Sequence, residues 1–191
     1  MFDPYFLLIS LPILLVTITI HEFAHAMVAD RLGDPTPRLA GRLTLNPISH
    51  IDPIGLLMLI LVRFGWAKPV PINPYNFQDI KRGVILVSLA GPLSNFFTAW
   101  ILAVALRTIP QSSFPIVGEI LNYAVWINLA LSVFNLIPIP PLDGSKIFEG
   151  FLPYQQAEFL RQNGLFILIL FILFGSPLLF TIVDFIYRLL I

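Results

Sequence analysis

Long apolar runs separated by short polar, proline-rich stretches dominate the chain. A helix needs about 20 apolar residues to cross a bilayer, and four regions approach or exceed that length. Tyr5–Asp30 is apolar through Ile20 and then carries His21, Glu22 and His25. Val84–Leu106 and Ile116–Ile137 are each long enough to span. Gly164–Ile191 is interrupted at Gly175-Ser176-Pro177. That interruption leaves open one kinked helix, or a helix that starts near Tyr154 followed by a shorter one. The pattern predicts an all-α multi-pass membrane protein.

A fifth apolar run, Ile54–Val62, would reach only about 13 Å as a helix. It cannot span, so it is expected to be a re-entrant or interfacial piece, packed on protein or lining a cavity. Two stretches around it read as short extended or β segments. Leu39–Asn46 alternates partly and ends at Asn46-Pro47. Trp66–Tyr75 carries Pro69, Pro71 and Pro74, which remove ladder donors and restrict it to an edge strand or a polyproline-like run. As an edge it could pair with an extended substrate; as a plain structured loop it could not.

Composition strengthens the membrane reading. Hydrophobic residues make up 57% of the 191 positions and charged residues 12%, against about 25% charged in an ordinary soluble domain. Such a surface is solvated by a lipid bilayer, not by water. The formal net charge is zero, so nothing indicates a nucleic-acid partner. The absence of cysteine excludes disulfides and thiolate metal sites. The N-terminal apolar run lacks a basic start and a small-residue cleavage site, and it continues into His21 and Glu22. It is therefore expected to be a retained membrane helix, not a signal peptide.

Charge also sets an orientation. Arg31, Arg38, Arg42, Arg63, Lys68, Lys81 and Arg82 lie between the first and second long helices, and Lys146 and Arg161 follow the third. Together these are nine of the eleven basic residues. Their side is expected to be cytoplasmic, with the N-terminus outside. His21, His25 and Asp143 then fall at cytoplasmic helix ends, and the cell membrane is the expected location.

His21-Glu22-Phe23-Ala24-His25 is an H-E-x-x-H sequence on a predicted helix. Residues four apart share a helical face. Two imidazoles at that spacing can bind one metal ion, with the intervening Glu within reach of a water on it. Ionisable residues at the end of a membrane helix are costly in lipid and point to function; the plain alternative is a polar interfacial turn. A catalytic zinc site needs a third protein ligand. Val28 and Arg31 stand where a metzincin would require Gly and His, which excludes that class. The remaining histidine is His50. The carboxylates to weigh are Asp30, Asp34, Asp52, Asp79, Glu119, Asp143, Glu149, Glu158 and Asp184. Asp143 follows a membrane helix and a stretch with three prolines that cannot continue a helix. An Asp there could point inward as a ligand, or it could simply cap a helix over Ser145–Phe151.

HEFAH, the GPLSN stretch Gly91–Asn95 and NLIPIPPLDG over Asn135–Gly144, in this order and spacing, resemble the site-2 protease family of intramembrane metalloproteases. The resemblance covers about Ile20 to Gly144. LNPISHIDPIG and FGWAKPVPINP resemble loops of its compact members. It implies three core transmembrane helices, carrying HExxH, GPxxN and a terminal LDG, beside the further C-terminal helix or helices. It implies a zinc ion held by His21, His25 and Asp143, with Glu22 as general base. Asn135 and Asn95 match positions near the active site, where contacts to substrate compete with interhelical hydrogen bonding. His50 matches a loop position. The implied activity is hydrolysis of peptide bonds in transmembrane protein substrates by one integral-membrane metalloprotease domain, residues 1–191. No PDZ module fits between the helices and no CBS module follows, so substrate gating is expected from helices, loops or partners. The competing class is a non-proteolytic membrane metal-binding protein or transporter. A transporter would place several ionisable groups along a path through the bilayer. Here the interiors of 84–106 and 116–137 carry only Glu119, near one end.

Overall fold

The computed structural model describes residues 6–62, 65–110 and 113–191. Tyr5, Arg63 and Phe64 of the regions above lie outside the described residues. Among the described residues eight α-helices follow in chain order: α1 (Leu11–Arg31), α2 (Thr36–Leu39), α3 (Pro53–Val62), α4 (Ile80–Thr108), α5 (Pro115–Asn135), α6 (Asp143–Glu149), α7 (Tyr154–Leu170) and α8 (Ser176–Leu190). Among the described residues four stretches are long and apolar enough to cross a membrane: Leu8–Arg31, Ile80–Thr108, Pro115–Asn135 and Tyr154–Leu190. The protein is thus an all-α multi-pass membrane protein. It divides into two compact units, Met1–Gly83 and Val84–Ile191.

In the first unit, α1 presents one buried stripe. Thr17, His21, His25 and Ala29 recur every four residues and are all buried, as the helical period requires. The helix ends in a Schellman motif. Asp34 N–H donates to Ala29 O at 3.0 Å and Gly33 N–H to Asp30 O at 3.2 Å, with Gly33 left-handed at φ 101°. That turn is what sets Asp34 directly beneath the helix end. Both α2 and the 3₁₀ turn Pro47–His50 pack on α1. Helix α3 has 10 residues, about 15 Å of length, and so falls short of a span, as expected. Its Gly55 lies against Trp66: a Cβ there would sit 2.1 Å from the Trp66 carbonyl oxygen.

The expected β segments are not there. Among the described residues there is no β-strand, only an isolated antiparallel bridge between Ile51 and Ala67. Leu39 closes α2, and residues 40–46 form turns and bends. The physical reason lies in how 66–75 satisfies its backbone. Pro69, Pro71 and Pro74 supply no donors, and side chains take up the groups that remain. Val70 N–H donates to Glu22 Oε2 at 3.1 Å, and Asn73 N–H donates to Asp34 Oδ2 at 2.7 Å. The Arg42 guanidinium donates to Lys68 O. Backbone pairing is confined to the bridge region, where Lys68 N–H donates to His50 O at 3.0 Å.

In the second unit, α4 is 29 residues long with Pro92 inside it. Pro92 removes one intrahelical donor, yet the helix continues, as membrane helices with nearby hydroxyls allow. Ser94 Oγ donates to Gly91 O at 2.7 Å, and Thr98 Oγ1 donates to Ser94 O at 2.8 Å. The apolar core gathers Ala99 and Ala103 of α4, Val125 and Leu129 of α5, and Val183 of α8. Trp126 stacks on Phe180 with ring centroids 5.9 Å apart, and Tyr187 Oη donates to Asn122 Oδ1 at 2.6 Å. Pairing 126 with 180 and 122 with 187 makes α5 and α8 antiparallel. The C-terminal region is one unbroken helical run from Tyr154 to Leu190, with a π-helical turn at Phe171–Gly175. That turn ends two residues before Pro177, whose missing N–H disrupts the regular ladder.

Candidate metal centre

His21 and His25 come from adjacent turns of α1. Their Nε2 atoms lie 3.0 Å apart, and their rings meet edge to face with centroids 4.6 Å apart. Two nitrogens bound to one tetrahedral zinc at about 2.0–2.1 Å stand roughly 3.3 Å apart. The imidazole pair therefore fits a shared metal ion as it stands. Both residues are buried, at 7% and 6% exposure. Glu22 between them is half-buried, with Oε2 held by Val70 N–H.

Asp143 opens α6 and is buried. The preceding chain leaves α5 at Asn135 and turns through Leu136–Leu142, with Ile139 N–H on Ile137 O at 2.8 Å and Leu142 N–H on Ile139 O at 3.0 Å. The Pro140–Pro141 peptide is cis. Gly144 is required by close approach: a Cβ would lie 2.2 Å from Leu136 O. Lys146 Nζ donates to Asp143 Oδ1 at 3.1 Å. Asp143 is thus not the cap of a helix starting at Ser145; it is itself in the first turn, and Ser145 Oγ donates to Leu142 O at 2.7 Å. His21, His25 and Asp143 each offer one ligand atom from a buried side chain. Two imidazole nitrogens and a carboxylate oxygen are the donors of a catalytic zinc site with one position left for water.

Most of the other carboxylates have different work. Asp52 caps α3 through Gly55 N–H at 2.8 Å, and Asp79 caps α4 through Arg82 N–H at 2.9 Å. Asp30 takes both a 2.8 Å and a 2.6 Å bond from Arg38. Glu149 and Glu158 pair with Arg161, and Asp184 pairs with Arg188. Glu119 is exposed. Asp34 is fully buried and collects Thr36 N–H at 3.1 Å, Asn76 Nδ2 at 2.7 Å and Asn73 N–H at 2.7 Å. Burial alone would raise its pKa; the hydrogen bonds from Thr36, Asn76 and Asn73 outweigh it and hold the carboxyl below its ordinary value.

The remaining sequence candidates are placed as follows. His50 is buried, with Nε2 2.8 Å from Thr44 O, and its own carbonyl accepts Lys68 N–H at 3.0 Å. Asn95 is fully buried in α4. Asn135 is half-buried, and its Nδ2 donates to Leu131 O at 3.0 Å within α5. Sequence reasoning missed the clamp made by Asp34, Arg42 and Val70. One signal was available: Gly33-Asp34-Pro35-Thr36 carries the Gly of a helix end and the Asp of an Asx turn.

A family model described as peptidase family M50 matches residues 110–175. The protein named "Putative zinc metalloprotease YwhC" from Bacillus subtilis is 39% identical over 173 residues, covering 86% of this chain and 79% of that protein. The chain belongs to peptidase family M50, the site-2 protease family. Another relative, "Putative zinc metalloprotease Rip2" from Mycobacterium tuberculosis, is 33% identical over 172 residues, 86% of this chain and 66% of its own length. "Stage IV sporulation protein FB" from Bacillus subtilis is 30% identical over 186 residues, 88% of this chain and 60% of its own length. No solved structure matches the chain. This M50 peptidase is an intramembrane zinc metalloendopeptidase: its long helices are those of a membrane protein, and its buried donors are those of a metal site.

Proposed function

We propose that His21, His25 and Asp143 hold one zinc ion and that Glu22 is the general base for hydrolysis of peptide bonds in transmembrane proteins. The observation that carries this reading is the buried histidine pair with its Nε2 atoms 3.0 Å apart, flanking a half-buried glutamate. When bound, zinc supplies Lewis acidity to the scissile carbonyl and lowers the pKa of a water ligand. Glu22 takes the proton from the attacking water and delivers it to the leaving amine. Asp143 contributes the negative charge that two neutral imidazoles lack. Asn135 and Asn95 contribute polar contacts to substrate near the reacting bond. Residues 1–191 are read as one protease domain, since the HExxH and LDG motifs of a single family lie in the same chain. A transmembrane substrate keeps its peptide groups in internal hydrogen bonds, so it must unwind locally before attack. The basic loops set the active site toward the cytoplasmic face, in the cell membrane.

The test is cleavage of a transmembrane reporter in liposomes by the wild type and by Glu22→Gln at matched zinc content. The variant is expected to cut about 10²–10⁴-fold more slowly. Equal cutting by both would remove Glu22 from the mechanism.

A further inference from the structure

The carboxylate that acts as base is not left free to rotate. Glu has three side-chain torsions, and a base must be held close to its productive geometry to be effective. Glu22 Oε2 accepts Val70 N–H at 3.1 Å. Val70 is buried and lies between Pro69 and Pro71. Neither proline has an N–H, so between Lys68 and Ile72 the Val70 amide is the single backbone donor.

The segment that carries this amide is pinned at both ends. At Lys68, the N–H donates to His50 O at 3.0 Å and the carbonyl accepts from the Arg42 guanidinium. Arg42 is 5% exposed and His50 1%, so neither anchor is a loose surface contact. At Asn73, the N–H donates to Asp34 at 2.7 Å, and Asn76 Nδ2 donates to the same carboxylate at 2.7 Å. Asp34 in turn is fixed to the end of α1 by the Schellman turn. The prolines restrict the backbone between the two anchors. The anchors for the strap 68–73 and the glutamate it touches thus belong to one unit of the fold.

We propose that the 68–73 strap is a positioning element for the catalytic base: the Val70 amide fixes Glu22 Oε2 and so leaves Oε1 as the oxygen that receives the proton. Arg42, His50 and Asp34 are positioning residues that act through the strap. This rests on the reading of Glu22 as base. It adds a specific prediction, because a donor on one carboxylate oxygen supports turnover without touching substrate or metal.

The strap's own sequence provides a clean deletion. Val70 precedes a proline, which steers its backbone away from the helical region. Val70→Pro removes the N–H, whereas Val70→Ala removes the side chain and keeps it. With a transmembrane reporter, kcat of Val70→Pro is expected to lie about 10–100-fold below that of Val70→Ala, with equal KM and equal zinc content. A raised KM at unchanged kcat would assign the amide to substrate and overturn the proposal, as would equal kcat in the two variants.

A second measurement does not depend on activity. In the peptide 68–74 the exchangeable backbone amides are those of Lys68, Val70, Ile72 and Asn73. Hydrogen exchange of Glu22→Ala against wild type is expected to speed exchange at Val70 and leave Lys68 and Asn73 protected. Unchanged Val70 exchange would overturn the contact even if Val70→Pro failed to fold. Should Glu22→Gln retain full activity, the base assignment falls by itself, while the exchange result still decides whether the strap holds Glu22.

Discussion

The loop region of the first unit and the helix pair of the second reach order by opposite means. From Asp34 to Asn76 the chain is held by side chains bonded to distant backbone groups: Asp34 on Asn73, Arg42 on Lys68, Glu22 on Val70. Between α5 and α8 the contacts are apolar and aromatic, with Val125, Leu129 and Val183 fully buried and Trp126 stacked on Phe180. The difference follows from sequence. A proline-rich loop cannot satisfy itself through a ladder, so each carbonyl and amide needs a particular partner. A membrane helix satisfies its own backbone and is then free to pack by shape. Order in the loop therefore depends on single atoms, whereas order in the helix pair is spread over many contacts.

The largest expected effect breaks the turn that carries Asp143. Gly144→Ala would put a Cβ 2.2 Å from Leu136 O and 2.6 Å from Ile137 O, both backbone atoms that cannot step aside. Zinc affinity, read by competition with a chelator, is expected to fall by at least about 100-fold, while α5 and α8 stay protected from exchange. Next is Asp34→Ala, which strands the donors of Thr36, Asn73 and Asn76. At about 1–3 kcal/mol for each unsatisfied buried group, a loss of about 3–5 kcal/mol is expected, with exchange accelerated at 34–36 and 73–76. Acid should mimic this change in the wild type. The folded pKa of Asp34 lies below the ordinary 3.8. Its contribution is therefore complete above that value and is lost as pH falls through the lowered one. Acid titration of the loop amides checks the direction.

In the helix pair the effects range from comparable to small. Leu129→Ala should cost about 2–5 kcal/mol, measured by unfolding in detergent, and the loss should not spread to the 68–73 amides. Tyr187→Phe removes one bond to Asn122 and should cost only about 0.6 kcal/mol. A Tyr187 effect as large as that of Asp34 would erase the distinction between the two regions.

Helix positions were legible because hydropathy acts locally. Val84–Leu106 and Ile116–Ile137 fall within a few residues of α4 and α5. The last region was legible only as two alternatives, one of them starting near Tyr154, because Gln155, Gln156, Glu158, Arg161, Gln162 and Asn163 blur its apolar pattern; the helical run does start at Tyr154. HExxH was legible because four-residue spacing on a helix fixes geometry. Trp66–Tyr75 reads locally as an edge strand, a polyproline-like run or a structured loop, and of these the strand is absent. Its partners are side chains 26 to 48 residues away, and no local pattern encodes them. Asp34 entered the sequence reading only as one more carboxylate, since its role depends on Asn73 and Asn76 folding back onto it.

The most direct test of the central claim is X-ray absorption at the zinc edge of the purified protein. Two imidazole nitrogens at about 2.0–2.1 Å and carboxylate oxygen at about 2.0–2.2 Å are predicted, with the carboxylate contribution lost in Asp143→Ala. A third imidazole, which only His50 could supply, would contradict the assignment, as would an unchanged spectrum in Asp143→Ala.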